Sequence, residues 1–165
     1  MAGFPPITVR HPLPNDLVND PVDVCGVGTG FEGQIAARVR DDNGTELVED
    51  GILAGGMGIW GNFHKQLPLT KKPQTPRGTL EVFEYSPKDG SEINKRVVRI
   101  VFGSALINPF HGFAQHTVIK GETLSGIAKH WYDNAGKYTV IFEANRDQIT
   151  DPNKIFVGQV LRIPQ

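Results

Sequence analysis

The chain is poor in several things that would have assigned it quickly. It has one cysteine, Cys25, in 165 residues. That excludes an intramolecular disulfide and any cysteine-rich zinc site. It has no run of 18 apolar residues, so no helix is expected to span a membrane. Met1-Ala2-Gly3-Phe4-Pro5-Pro6 has no basic region followed by an apolar one. This start predicts a cytoplasmic chain, or a cell-envelope one only if a leader is removed or a non-standard route exports it. It also lacks charge excess: 17 Lys and Arg oppose 18 Asp and Glu, for a net charge of −1. A broad grip on nucleic-acid phosphates is therefore not expected.

Turn formers are abundant, with 19 glycines and 12 prolines. They divide the first hundred residues into short runs rich in β-branched and aromatic side chains. In Glu32–Arg40, Ile35, Ala37 and Val39 point one way and Gln34, Ala36, Arg38 and Arg40 the other. That alternation predicts a strand with one buried face. Asp42-Asn43-Gly44 predicts a two-residue hairpin turn, with Glu46–Leu53 as the return strand. Further strands are expected at Ile7–Arg10, Val22–Val27, Asn62–Leu69, Thr79–Tyr85 and Val97–Phe102. About seven short strands with no helical period predict an all-β antiparallel sandwich over residues 1–103. Phe31, Trp60, Phe63 and Phe83 are its expected large core residues.

The order of Ile7-Thr8-Val9 with Pro12, Gly26–Gly33, Asp42-Asn43-Gly44, Gly58–Phe63 and Ser86-Pro87-Lys88-Asp89-Gly90 resembles the immunoglobulin-like domain of bacterial spore-germination proteins. The resemblance covers residues 7–102. It implies an accessory, non-enzymatic role at the cell envelope and brings no catalytic residue.

Beyond residue 103 the periodicity changes. His116–Ile119 is β-like, and Thr123 is placed to cap a helix. Leu124, Ile127, Ala128 and Trp131 form the apolar stripe of that helix. Asp133–Gly136 breaks it, and Tyr138, Ile141, Phe142 and Asn145 repeat the spacing on a second. Gln159–Ile163 closes the unit as a strand. The expected order is β-α-α-β, an α+β unit over 116–165. Its two short strands close it only by pairing, which makes the loop before the first helix and the loop before the closing strand neighbours. Leu106, Ile107, Phe110 and Phe113 make the intervening linker, 104–115, too apolar for a free tether. It is expected to pack on a domain or a partner, giving a semi-rigid particle.

Val118–Ser125, Ile127-Ala128, Trp131-Tyr132, Ile141–Asn145, Asp151–Ile155 and Gly158–Pro164 strongly resemble a LysM domain over residues 116–164. Glu122 stands where Asp is commonest. The resemblance implies non-catalytic recognition of N-acetylglucosamine-containing glycans, of peptidoglycan or chitin type. It carries the binding role to Gly121, Glu122, Thr123 and Leu124 in one loop and to Asp151, Pro152, Asn153, Lys154 and Ile155 in the other. An N-acetyl group offers a donor, an acceptor and a methyl. Facing loops can pair the amide while Leu124 and Ile155 meet the methyl. The same stretch is similar to the LysM of small cytoplasmic potassium-binding proteins, whose other domain, a BON fold, this chain lacks. The alternative is thus a cytoplasmic structural or assembly protein whose LysM surface binds protein or potassium. One shallow module implies a Kd of ~10 μM to 1 mM, so retention calls for several copies, by oligomerisation or partner assembly.

No residue set carries catalysis. Cys25 has no visible base. His11, His64, His111, His116 and His130 lack metal-ligand spacing, so no metal or cofactor is expected. Gly26-Val27-Gly28-Thr29-Gly30 precedes no helix and reads as a bulge or twisted strand rather than a phosphate cradle. Lys71, Lys72 and Arg77 read as a solvated loop and Asp41-Asp42 as a turn. Glu122 and Asp151 face across the two loops, but a shallow site does not fit a glycosidase pair.

Overall fold

The computed structural model describes residues 6–165, which divide into two compact units, 6–102 and 103–165. The leader reading rests on Met1–Pro6, of which Met1–Pro5 lie outside the described residues. No helix among the described residues is long and apolar enough to cross a membrane.

The first unit is almost entirely strand: β1 (Ile7–His11), β2 (Asp16–Val18), β3 (Val22–Gly30), β4 (Gln34–Asp41), β5 (Glu46–Leu53), β6 (Gly55–Gly56), β7 (Gly61–Leu67), β8 (Arg77–Tyr85) and β9 (Glu92–Phe102). One sheet joins β1 and β7 to either side of β3, with β6 added at the end of β3. The other runs β2-β9-β8-β4-β5. Ile7, Val22, Val24, Phe63 and Leu67 from the first share one core with Ile35, Val39, Leu80, Val82 and Ile100 from the second. The alternation puts Ile35, Ala37 and Val39 in the core, but β4 does not have a single buried face: Ala36 and Arg38 on the other side are buried as well. Two pairings are parallel, β2 with β9 and β3 with β6, so the unit is not purely antiparallel. Both extra strands are too short to register as periodic in sequence.

Three local expectations need correction. The Asp42-Asn43-Gly44 turn is larger than two residues. Asp41 N–H pairs with Thr45 O, only Gly44 takes a positive φ (81°), and the Asp41 carboxylate accepts from the amides of Asn43 and Thr45. That carboxylate supplies locally what a tighter turn would have supplied by backbone pairing. Phe31 and Trp60 are 56% and 39% exposed; Phe63 is in the core as expected, while Phe83 is buried on the outer face of its sheet rather than in the core. Gly26 lies mid-strand because Phe63 crosses it: a Cβ there would sit 2.5 Å from the ring and 2.2 Å from Thr8 O. The glycine run is thus the end of β3, as its twisted-strand reading had it.

On the outer face of the five-stranded sheet Arg38 is only 5% exposed. Its guanidinium donates to Glu81 at 2.6 and 3.1 Å, to Glu92 at 2.8 and 3.0 Å and to Glu49 at 3.1 Å. It also lies 4.7 Å above the Phe83 ring. Phe83 is thereby sealed on a face that faces solvent elsewhere.

The second unit contains a one-turn helix α1 (Gly103–Leu106), β10 (Phe113–Thr117), α2 (Leu124–Tyr132), a 3₁₀ turn (Ala135–Lys137), α3 (Tyr138–Ala144) and β11 (Val160–Pro164). β10 and β11 pair antiparallel from Phe113–Pro164 to Thr117–Val160. The first strand thus starts three residues earlier than its sequence pattern. The segment read as a linker packs within this unit. Phe110 lies on Gly103, where a Cβ would be 2.2 Å from its ring, and His111 N–H bonds Gln165 O at 2.6 Å. Val118, Leu124, Ile127, Ala128, Ile141, Ile149, Leu161 and Ile163 form the core. Val160 is 45% exposed, because the strand's alternation assigns the inner face to Leu161 and Ile163.

Candidate functional site

Thr123 starts α2 by accepting the Gly126 amide at 3.1 Å. Leu124 then drops into the core, fixing the helix end against the sheet. On the other side Asn145, fully buried, ties α3 to β11. Its Nδ2 donates to Ile141 O and Arg162 O, each at 2.7 Å, and its Oδ1 accepts from Arg162 N–H at 2.9 Å. The loop that follows bends at Asp151, whose carboxylate accepts from Asn153 N–H at 2.9 Å. Gly158 N–H reaches Val118 O at 2.8 Å and continues the β10–β11 ladder. These ties bring the two loops together.

Between them lies a groove of about 380 Å³ lined by Glu122, Thr123, Leu124, Ser125, Tyr138, Pro152, Asn153 and Ile155. Six of the nine sequence-derived site residues are in that lining. Gly121, Asp151 and Lys154 are not. Gly121 takes the positive φ (88°) that turns the first loop. Asp151 holds the second loop's turn, and Lys154, at 3.5 Å from the Asp151 carboxylate, is largely exposed. Sequence reasoning missed Tyr138 and Ser125. Tyr138 was legible as the start of α3, but its position beside the first loop depends on the fold.

Both carboxylates are committed to structure. Glu122 accepts from the Ile119 amide and from His116 Nε2, each at 2.9 Å, and these bonds hold it below the usual carboxylate range. Asp151 is lowered by the Asn153 amide, with Lys154 adding to the effect. Behind Glu122, Trp131 Nε1–H donates to His116 Nδ1 at 3.3 Å. An indole N–H only donates, so His116 carries its proton on Nε2 and gives it to Glu122. The Trp131–His116–Glu122 chain buttresses the first loop from beneath. It was not foreseen, because its members are scattered along the sequence.

Chemically the groove offers apolar surface from Leu124, Ile155, Pro152 and the Tyr138 ring, and polar groups from Thr123, Ser125 and Asn153. The first-turn amides of α2 have no carbonyl one turn earlier. Such a surface suits a neutral ligand with an amide and an apolar face. Among the described residues no cluster of three or more His, Cys, Asp or Glu is arranged to hold a metal. Cys25 is half-buried on β3 opposite His64, whose Nε2 is 2.6 Å from Asp23. The strand position of Cys25, one residue after core Val24, puts it on the outer face.

Residues 6–91 match the family described as the immunoglobulin-like domain of bacterial spore germination, and residues 116–164 match the LysM domain. The potassium binding protein Kbp of Escherichia coli O6:H1 is 54% identical over 50 residues, 30% of this chain and 34% of that protein. Esterases of Mycobacterium tuberculosis strains CDC 1551 and H37Rv are each 44% identical over 61 residues, 37% of this chain. The chain spans only 12% of the esterases' length.

Proposed function

We propose, on the premise that this chain belongs to the family of the immunoglobulin-like domain of bacterial spore germination and carries a LysM domain after it, that it is a non-catalytic binding protein. Its βααβ LysM groove takes N-acetylglucosamine-containing glycan, of peptidoglycan or chitin type, and the rest of the chain is an immunoglobulin-like β-sandwich scaffold. The observation that carries this reading is the meeting of the two loops at one groove that mixes apolar wall with hydrogen-bonding groups. The acetamido carbonyl is received by the α2 first-turn amides, and its methyl lies against Leu124 and Ile155. Tyr138 and Pro152 bound the pyranose ring. Gly121 and Asp151 shape the loops, and Lys154 reaches the rim.

Bond cleavage has no support in the groove. A glycosidase acid needs a carboxyl kept protonated near neutrality. Glu122 and Asp151 are both shifted the other way.

The test is titration of the full chain with N-acetylglucosamine oligomers, followed by amide chemical shifts. Residues 121–125 and 151–155 move, with a Kd of ~10 μM to 1 mM. Their failure to move at millimolar trisaccharide sinks the reading.

A second reading rests on the identity to the potassium binding protein within the LysM region. In it the chain is a cytoplasmic structural or assembly protein whose LysM surface answers to potassium or to protein. Exchange of sodium for potassium at constant ionic strength separates the two. Shifts in the LysM amides under potassium, with none under glycan, favour the second.

A further inference from the structure

One strand of the second unit has an open side. At the two ends of the β10–β11 ladder, Gln165 N–H bonds Gly112 O at 2.7 Å and Val118 N–H bonds Gln159 O at 2.9 Å. Hydrogen bonding alternates along an antiparallel strand, so Ala114 and His116 turn their backbone groups to β11. Phe113, Gln115 and Thr117 turn theirs to the outer edge, where they meet no hydrogen-bonding partner among the described residues. Their side chains are exposed as well.

β11 has the same geometry and the opposite outcome, because side chains cap its outward groups. Asn145 accepts from Arg162 N–H at 2.9 Å and donates to Arg162 O at 2.7 Å. Gln148 Nε2 donates to Val160 O, and the Tyr132 hydroxyl to Pro164 O, each at 2.9 Å. β10 also lacks the charge, proline or bulge that ordinarily keeps an edge strand from pairing with another chain. Phe113-Ala114-Gln115-His116-Thr117 holds no Lys, Arg, Asp, Glu or Pro, and its register with β11 is unbroken. Edges in the first unit are defended. β5 carries Glu46, Glu49 and Asp50, and Thr70 N–H takes Leu47 O at 2.9 Å. β1 shifts register between Val9 and His11 and runs into Pro12.

Such an edge accepts an extended strand, and β10 itself fits it. Antiparallel pairing about a two-fold axis at Gln115 sets Phe113 against the partner's Thr117 and Gln115 against the partner's Gln115. Each of these residues then exchanges its free N–H and C=O with the residue opposite. An aromatic ring stands across from a β-branched side chain, which is a favourable cross-strand pair, and no like charges meet. A charged peptide would find no counter-charge on this strand.

We propose that two copies of this chain pair β10 to β10 across a two-fold axis at Gln115, joining their two-stranded sheets into one continuous antiparallel sheet. The pairing does not rest on the glycan reading; taken with it, each particle carries a pair of grooves.

Sedimentation equilibrium of the full chain over roughly 5–500 μM tests this, the range in which an interface of one strand per copy dissociates. The average mass climbs from the 18.1 kDa monomer toward twice that value. Over the same range the amides of Phe113, Gln115 and Thr117 gain protection from hydrogen exchange, while those of Ala114 and His116 are protected throughout. Gln115→Pro removes the central donor from both copies at an edge position where proline is tolerated, and association weakens at least tenfold. Gln115→Lys and Gln115→Glu each set like charges face to face on the axis. Both weaken association and leave the thermal midpoint near that of the parent chain, and an equal mixture of the two associates more strongly than either alone. A monomer throughout the range overturns the proposal. So does association that survives Gln115→Pro, or a mixture no stronger than its components. Edge amides already protected in the dilute monomer overturn it too, and assign the edge to another segment of the same chain.

Discussion

The two units spend their polar residues differently. In the first, the most elaborate polar constellation is consumed internally: Arg38 draws three glutamates over a buried phenylalanine. In the second, the buried polar residue Asn145 joins secondary elements, and the groups around the groove keep capacity toward solvent. A charged cluster closed on itself stabilises a sheet face and offers a ligand little. Two loops tied from beneath leave their outward atoms available. Charge density alone would have drawn attention to the wrong half of the molecule.

The sharpest way to break this contrast is Arg38→Ala. It removes the guanidinium that three carboxylates share, leaving Glu81 and Glu92 with Lys95 alone, and uncovers one side of Phe83. The expected loss is about 3–5 kcal/mol in the first unit, read by Trp60 fluorescence in a Trp131→Phe background. A loss below about 1 kcal/mol would make the network a surface ornament of the usual weak kind.

Asn145→Ala makes the corresponding attack on the second unit. It strands the Ile141 and Arg162 carbonyls and the Arg162 amide, at about 2–3 kcal/mol. A unit this small has a margin of only ~3–5 kcal/mol. Glycan binding and Trp131 emission are expected to fail together while the first unit still melts cooperatively.

Acid separates the units by degree. Hydrogen bonds from Arg38 and Lys95 hold Glu92 down to about 2, from an ordinary 4.5. For Glu81, burial pushes upward, but the Arg38 and Lys95 interactions win and the net shift is downward. A carboxylate depressed in the folded state contributes fully above its unfolded value, and that contribution is lost as pH falls toward the folded one. The first unit is expected to lose stability between about pH 5 and pH 2. Glu92→Gln flattens that slope in thermal melts taken across the range. An unchanged slope would detach the network from stability.

The smallest effect is Thr123→Ala, about 1 kcal/mol from the lost cap. It sharpens the contrast because Thr123 lies in the groove lining as well. Glycan affinity is expected to fall several-fold more than the stability loss accounts for, measured by titration below the melting range.

What the sequence disclosed follows from period. Ile35, Ala37 and Val39 alternate and are buried; Leu124, Ile127 and Ala128 recur at helical spacing and form the second core. Thr123 was legible as a cap because capping is local. The neighbouring loops followed from strand pairing, since two short strands close such a unit in few ways. Long-range effects were hidden. Arg38 occupies an outward position, and only glutamates on three other strands bury it. Phe31 and Trp60 are large and apolar, but they sit on a corner outside any alternation. Ile149 enters the second core from a loop, where no periodicity announces it. Tyr138 shares its helix with core residues, and its place at the groove depends on where the preceding turn delivers it.

Leu124 is both floor of the groove and part of the hydrophobic interior, 2% exposed. Pro152 and Asn153 belong to a wall that packs no core. Ligand preference can therefore be retuned from one side alone. Randomising 152 and 153 should yield a library of folded binders with altered selectivity, whereas randomising 124 should yield mostly unfolded chains.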